Sequence, residues 1–305
     1  MITVVCLSPC IDRTISVPSF TIGETNRPVD TQECIGGKGV NVALMLKSMG
    51  ADVQLITFRH AKGGDVLEKG LQQAKLSYKM ISTDSVLRTN IKILDKSCNE
   101  ITEINEKATP VEDAVIDEIK DCILAEAAKS RWLVLTGSMP RGCAADFYAQ
   151  IIREKRHAKL PCKVVLDAEG EPLRDGVPEK PDFMKPNRHE LEIFEQRALP
   201  TNEDILQATA HLEHAGIETV ITSMGTAGSV MVTAGKTYAA SAVKVPVVTT
   251  VGAGDAMVAG FLKALEDGKS VEEAFRYSVA SATARVAGEA DGTKYLEQVQ
   301  IREMM

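Results

Sequence analysis

From residue 130 onward the chain alternates short apolar runs with stretches of helical period, the pattern of a parallel sheet covered by helices. Strands are predicted at WLVLTG (132–137), CKVVLD (162–167) and ETVITS (218–223), and in the run that leads into VGAGD (251–255). Beyond that run, Val258, Phe261, Leu262 and Leu265 recur at the spacing of one helix face, up to a stop at Gly268. The rhythm starts early: ITVVCL and VQLITF flank the helical stretch NVALMLKSM, which ends at Gly50. Two helix starts carry local signals. Thr109-Pro110-Val111-Glu112 combines an N-cap, a first-turn proline and a capping-box glutamate, and Ser270 to Glu273 repeats the box without proline.

Two stretches break the alternation. Residues 12–36 and 76–104 are rich in β-type sequence, such as NIKILD (90–95) and ITEIN (101–105), and hold no long helical pattern. They are expected to meet in space as a small sheet beside the main one, acting as a lid that excludes water from an active site. Exposed edges on that lid could pair with a second copy of the chain, which predicts a homodimer through the lid. Residues 1–305 are then read as a single α/β domain with a β-lid inserted in two pieces.

Composition narrows the picture without choosing a fold. A chain of 305 residues that is 44% hydrophobic and 25% charged, with no repeat or low-complexity tract, is an ordinary folded protein able to bury a substantial core. Its net charge of -7, of mixed sign, lacks the basic stripe that nucleic-acid binding needs, so no nucleic-acid partner is expected. No segment is long and apolar enough to span a bilayer, and MITVVCLSPCID reads as a first strand and not as an export signal. No membrane association is expected. The seven cysteines are odd in number and form no CxxC pair, which argues against a disulfide framework or a zinc site and for a reducing, cytoplasmic setting. Cys6 and Cys10 read as buried free thiols.

The chemistry concentrates in VGAGDAMVAGF (251–261). A helix that starts here offers unpaired N–H groups and the positive end of a dipole, which attract an anion, yet a carboxylate, Asp255, already stands there. Two familiar phosphate motifs do not account for it. Met257 replaces the third glycine of a dinucleotide fingerprint, and the match lies far from the first β-helix unit; GGKG (36–39) has Gly39 where a P-loop has Ser or Thr. The juxtaposition is explained when the anion is a transferring phosphoryl group. The N–H groups of Gly252, Ala253, Gly254 and Asp255 then hold the charge that builds on it, while the Asp255 carboxylate accepts the proton of the attacking hydroxyl. The glycines let the backbone approach the phosphate.

GGKGVNVA (36–43), TGSMPRG (136–142), KPNRHE (185–190), SMGTAG (223–228) and TTVGAGDAMVAGF (249–261), in that order, resemble the motifs of the ribokinase-like sugar kinases, the phosphofructokinase B family. The resemblance extends over essentially the whole chain. It implies a ribokinase-like three-layer α/β/α sandwich with a mainly parallel sheet and a small β-lid, ATP with Mg2+ as donor, a sugar hydroxyl as acceptor, and Asp255 as general base. It also implies that Asp12, Gly37 and Asn41 contact the sugar. Asn187 and Glu190 are implied in the magnesium and phosphate network, Glu190 reaching the metal through water. Lys185 is implied as an ATP contact, Ser223, Gly225 and Gly228 as the nucleotide loop, and the neighbourhood of Ala280 to Ala284 as the adenine site.

The acceptor is expected to carry an anion of its own, with Lys38, Arg88 and Arg141 as its candidate receptors, since a guanidinium fork donates two hydrogen bonds to one phosphate. SMPRG and GGKG resemble the phosphosugar branch of the family. LRTNIKIL (87–94) and TEINE (102–106), with Asn90, Lys92 and Asn105, are most similar to members that act on fructose 1-phosphate. The implied reaction is ATP-dependent phosphorylation of its C6 hydroxyl to give fructose 1,6-bisphosphate, so the implied partner is a phosphorylated ketohexose. The alternatives are tagatose 6-phosphate as acceptor, or a sugar-phosphate or nucleotide sensor without turnover. Ser8 and Cys10 depart from the family pattern at the sugar-facing turn, and Arg59 and His60 at a stretch that is usually glycine-rich and apolar. His60 reads as an exposed or capping residue.

Overall fold

The structure, a computed structural model, describes residues 1–304. Ten strands form one sheet in the order β14 (Ile301–Met304), β13 (Lys236–Ala240), β12 (Ser229–Thr233), β11 (Thr219–Ser223), β10 (Phe183–Met184), β9 (Lys163–Asp167), β8 (Trp132–Thr136), β1 (Ile2–Cys6), β4 (Val53–Lys62) and β5 (Ser77–Val86). From β5 to β11 every pairing is parallel, and β12 to β14 extend the β11 edge as antiparallel strands.

The all-apolar runs that predict the strands are apolar because both faces of the sheet are covered. Along β1, Val4 points into the core under α1 (Lys38–Ser48), α2 (Gly64–Gln73), α8 (Ala253–Glu266) and α9 (Val271–Val286), while Val5 points into the core on the opposite face. That second face carries α3 (Asp113–Ala127), α4 (Phe147–His157), α5 (Glu171–Gly176), α6 (Arg188–Glu195) and α7 (Asn202–His214). The result is the three-layer α/β/α sandwich. No helix among the described residues is long and apolar enough to cross a membrane.

A second sheet of four strands, in the order β3 (Asp30–Gly36), β2 (Cys10–Val17), β6 (Arg88–Asp95) and β7 (Glu100–Asn105), stands beside the first. It is joined to the main sheet by Leu7–Pro9 after β1 and by Leu87 after β5. The expected lid segments, 12–36 and 76–104, differ from these bounds. Residues 77–86 pair with β4 from Gln54↔Ser77 onward and belong to the main sheet, so the second piece begins at Arg88, and the first begins at Cys10. Alternation alone cannot tell an edge strand of one sheet from the first strand of the next.

Three local readings are corrected by the structure. The run before VGAGD forms no strand: Pro246 removes a ladder donor, Val247 and Val248 are exposed, and the Val248 N–H bonds to Val286 O at the end of α9. Thr109 does not cap a helix. Its hydroxyl donates to Val86 O, and α3 starts at Asp113 behind Glu112, which makes no side-chain cap. His60 is buried with Nδ1 at 2.7 Å from Ser85 Oγ, and that burial lowers its pKa to about 4. The Ser270–Glu273 box forms as read, with both reciprocal bonds present.

Helices α8 and α9 pack closely because Gly260 has no side chain: a Cβ there would stand 2.3 Å from Ser281 Oγ and 2.8 Å from Tyr277 O. Gly260→Ala is therefore expected to destabilise the fold by about 2 kcal/mol through overpacking. Chemical denaturation followed by circular dichroism checks this; an unchanged midpoint would show that the two helices are not held at this spacing.

Candidate active site

Because the central strands are parallel, their C-terminal ends all reach one edge of the sheet, the edge at which open α/β sheets bind ligands. A cavity of about 1150 Å3 runs along it, walled on one side by Asp12, Asn90, Lys92, Glu103 and Asn105 of the small sheet, and on the other by Ser223, Gly225 and Gly228 after β11. Of the site residues expected from sequence, Arg141 alone does not line it. That guanidinium points to the Ala108 carbonyl through Nε at 3.3 Å and is exposed, because Gly142 and Val111 tie the SMPRG turn to the segment leading into α3.

At the middle of the cavity floor, α8 begins. Gly252 is its N-cap at φ 79°, a left-handed conformation suited to glycine. The Ala253 N–H closes a turn on Thr250 O at 3.3 Å, and the first helical bond runs from Ala256 N to Gly252 O. Gly254 and Asp255 N–H thus remain among the unpaired first-turn donors. The Asp255 carboxylate is 5% exposed and accepts a 2.8 Å bond from Asn41 Nδ2 on the first turn of α1. Burial, reinforced by the Asp167 carboxylate, raises its pKa to about 6, against the lowering effects of Asn41, Lys38 and Lys185.

Asp167, at the end of β9, anchors the cations. Lys185 Nζ lies 3.6 Å and Lys38 Nζ 3.9 Å from its Oδ1, and Thr136 Oγ1 donates to its Oδ2 at 3.2 Å. Burial alone would raise its pKa; the two ammoniums and the hydroxyl outweigh burial and hold it below the usual carboxylate range. Lys38 also reaches Glu190 Oε1 at 3.3 Å, and its pKa is raised, chiefly by Asp167. Lys38, expected to receive the acceptor's own phosphate, therefore sits in the carboxylate cluster on the α8 side. Lys185 stands where a side chain at position 254 would intrude, since a Cβ there would lie 3.1 Å from its Nζ. Asn187 and Glu190 form a complete capping box at the start of α6, so their local role as caps is met by the bonds they make.

Asp167 is the functional candidate that sequence reading passed over. Its signal was positional: a carboxylate at the C-terminal end of a parallel strand that the apolar run already predicted. On the small sheet, Asp12 is held from both sides, Oδ1 by Asn90 Nδ2 at 3.1 Å and Oδ2 by Lys92 Nζ at 2.9 Å. Arg88 donates to Ser8 O at 3.1 Å, to Glu106 O at 3.0 Å and to Asn90 Oδ1 at 3.4 Å. On the far side, Val279, Ala282, Thr283 and Val286 supply an apolar wall beside Gly228, near the expected adenine region.

The arrangement can hold a polyanion against main-chain donors and ammoniums, and can take one proton on a carboxylate poised near neutrality. It also fits a phosphate-bound divalent cation. Asp167 Oδ1 is buried without a hydrogen-bond partner and Glu190 is beside it, hard oxygen donors of the kind Mg2+ uses, while no all-protein metal cage occurs among the described residues.

A carboxyl whose folded pKa is about 6 against an ordinary 3.8 binds more protons when folded, so stability falls as pH rises through that window. At neutral pH the ionised group costs roughly 3 kcal/mol at 1.36 kcal/mol per unit. Asp255→Asn is expected to raise Tm at about pH 7.5 and to change it little near pH 4, measured by calorimetry; a lower Tm at about pH 7.5 would contradict the burial argument.

The family profile described as pfkB family carbohydrate kinase matches residues 1–297. The chain is similar to 1-phosphofructokinase of Bacillus subtilis, 32% identical with 100% of this chain and 98% of that protein covered, and to 1-phosphofructokinase of Rhodobacter capsulatus, 32% identical with 92% and 88% covered. Its fold matches phosphofructokinase-2 from Escherichia coli with a TM-score of 0.90 at 23% identity, over 97% of this chain and 99% of that one. With strand ends, helix start and lid arranged as in that fold, and the profile matched nearly end to end, the chain belongs to the pfkB family of carbohydrate kinases, phosphotransferases with an alcohol group as acceptor.

Proposed function

We propose that the chain transfers the γ-phosphoryl group of ATP to the C6 hydroxyl of fructose 1-phosphate, giving fructose 1,6-bisphosphate and ADP. The observation that carries this reading is Asp255: a buried carboxylate bonded to Asn41, beside free first-turn N–H groups, where the small-sheet and nucleotide-loop halves of the cavity meet. The relatives named 1-phosphofructokinase support the choice of sugar phosphate.

In this reading Asp255 takes the proton of the C6 hydroxyl as the new O–P bond forms. The bond from the γ-phosphorus to the bridging oxygen breaks, and ADP leaves with that electron pair. The N–H groups of Gly252 to Asp255, Lys38 and Lys185 face the charge on the moving group, and their placement by helix and strand ends means that little reorganisation is needed. Asp12, Gly37, Asn41 and Asn90 orient the ketose. Lys185, Asn187, Ser223, Gly225 and Gly228 receive the nucleotide, and Glu190 and Asp167 would face the phosphate-bound Mg2+. That ion supplies neutralisation of phosphate charge. The small sheet serves as a lid, and its exposed edge strands β3 and β7, with Ile104 exposed on β7, support association of two copies through it. The setting is the cytoplasm.

A coupled ADP-release assay across fructose 1-phosphate, tagatose 6-phosphate, fructose 6-phosphate and free fructose is expected to give the highest kcat/KM for fructose 1-phosphate. Preference for tagatose 6-phosphate would replace the substrate, and binding without ADP release would make the protein a sensor. Because the base must be ionised, kcat at saturating substrate is expected to drop tenfold per unit below about pH 6. A profile flat from about pH 5 to 8 would remove Asp255 from that role. Light scattering of the purified protein, read against Ile104→Lys, checks the lid-mediated dimer; a monomer at micromolar concentration would contradict it.

A further inference from the structure

Resting on the sugar-phosphate kinase reading above, one question is which cation takes the phosphate that the acceptor already carries. Lys38 and Lys185 are engaged with Asp167 and Glu190 at the α8 end of the cavity. Arg188, which opens α6, and Lys244, beside the nucleotide loop, line the opposite part. Arg141 lies outside the cavity. Arg88 gives its Nη donors to Ser8 O, Glu106 O and Asn90 Oδ1, which are the exit of β1, the exit of β7 and its own strand. These bonds make it a brace between the two sheets, and its Nε is buried without a partner.

Lys92 is the remaining cation on the cavity face of the lid. Its side chain is 12% exposed and Nζ lies 2.9 Å from Asp12 Oδ2, which uses one of three ammonium donors. Asn90 holds the other Asp12 oxygen, and Glu103, opposite Lys92 in the β6–β7 register, lines the same cavity with Asn105 Nδ2 on its Oε2 at 3.3 Å. The head of Lys92 is thus fixed between two carboxylate-bearing strands, with two donors left for a ligand.

We propose that Lys92 receives the acceptor's own phosphate and so selects a phosphorylated ketose over a free sugar, while Arg88 holds the lid to the main sheet. A compact, strongly hydrated ammonium already partly withdrawn from water gains more from a dianion than from a neutral hydroxyl. Asp12 is left to accept bonds from sugar hydroxyls on its remaining lone pairs.

The alternative is that Lys92 merely keeps Asp12 in place, and three variants separate the two. Lys92→Gln keeps a donor for Asp12 without the charge, Lys92→Arg keeps both, and Lys92→Ala keeps neither. With fructose 1-phosphate, Ala and Gln are each expected to raise KM by about 100-fold with kcat changed by less than about threefold, and Arg to stay within about tenfold of the wild-type KM, a charge-assisted bond being worth roughly 1.5–3 kcal/mol. Melting curves of the three variants confirm that each is folded. A Gln variant with wild-type KM, or losses of Ala confined to kcat, would overturn the assignment. A wild-type enzyme that turns over no fructose 1-phosphate would overturn the substrate reading first, and this assignment with it.

Discussion

Three carboxylates, Asp167, Glu190 and Asp255, lie under the C-terminal edge of the sheet, and two ammoniums, Lys38 and Lys185, stand among them. Taken out of water, such a set is tolerable only because each charge has a neighbour of opposite sign or a fixed dipole. The layout of the domain follows from that constraint. Parallel strands bring Asp167 and Lys185 to the same edge, α1 brings Lys38 and Asn41 from the β3 side, and the α8 start brings Asp255. Asp255 is the least compensated of them, which is why it alone is pushed up toward neutrality while Asp167 is held down.

That imbalance has a stability cost and a chemical use. A carboxylate stabilised as fully as Asp167 would be a weak base, and one left wholly unpaired would stay protonated at neutral pH. The Asn41 bond and the distant lysines place Asp255 between these extremes. The lid completes the setting. Its two short connections, after β1 and after β5, let the small sheet form a separate wall, and the Arg88 bonds to Ser8 and Glu106 carbonyls fasten that wall to the strand exits. Polar side chains facing the cavity, Asp12, Asn90 and Lys92, then come from alternate positions of paired strands, so the sheet's own period arranges them.

Much of this could be read in the chain before any coordinate, because parallel-strand cores and helix starts leave local marks. The fully apolar runs around Val4, Leu133 and Val165 announced buried strands, and Gly252-Ala253-Gly254-Asp255 announced a helix start with a carboxylate out of place. Reading stopped where the cause is not local. Asp167 follows an unremarkable strand, and only the parallel stacking of β9 beside β10 puts it next to Lys185. Arg141 sits in a motif that reads as basic and functional, yet a turn held by Val111 carries it away from the cavity. The segment before VGAGD has strand-like composition, but Pro246 and the carbonyl of Val286 dictate another path.

The most direct test of the account is single-turnover phosphoryl transfer by Asp255→Asn, run beside ATP affinity of the same protein by titration calorimetry. Asparagine keeps the size and the contact with Asn41 but cannot accept the proton. The rate is predicted to fall by about 1000-fold or more with ATP affinity within about threefold of wild type. Transfer at the wild-type rate would contradict the claim that this carboxylate takes the hydroxyl proton.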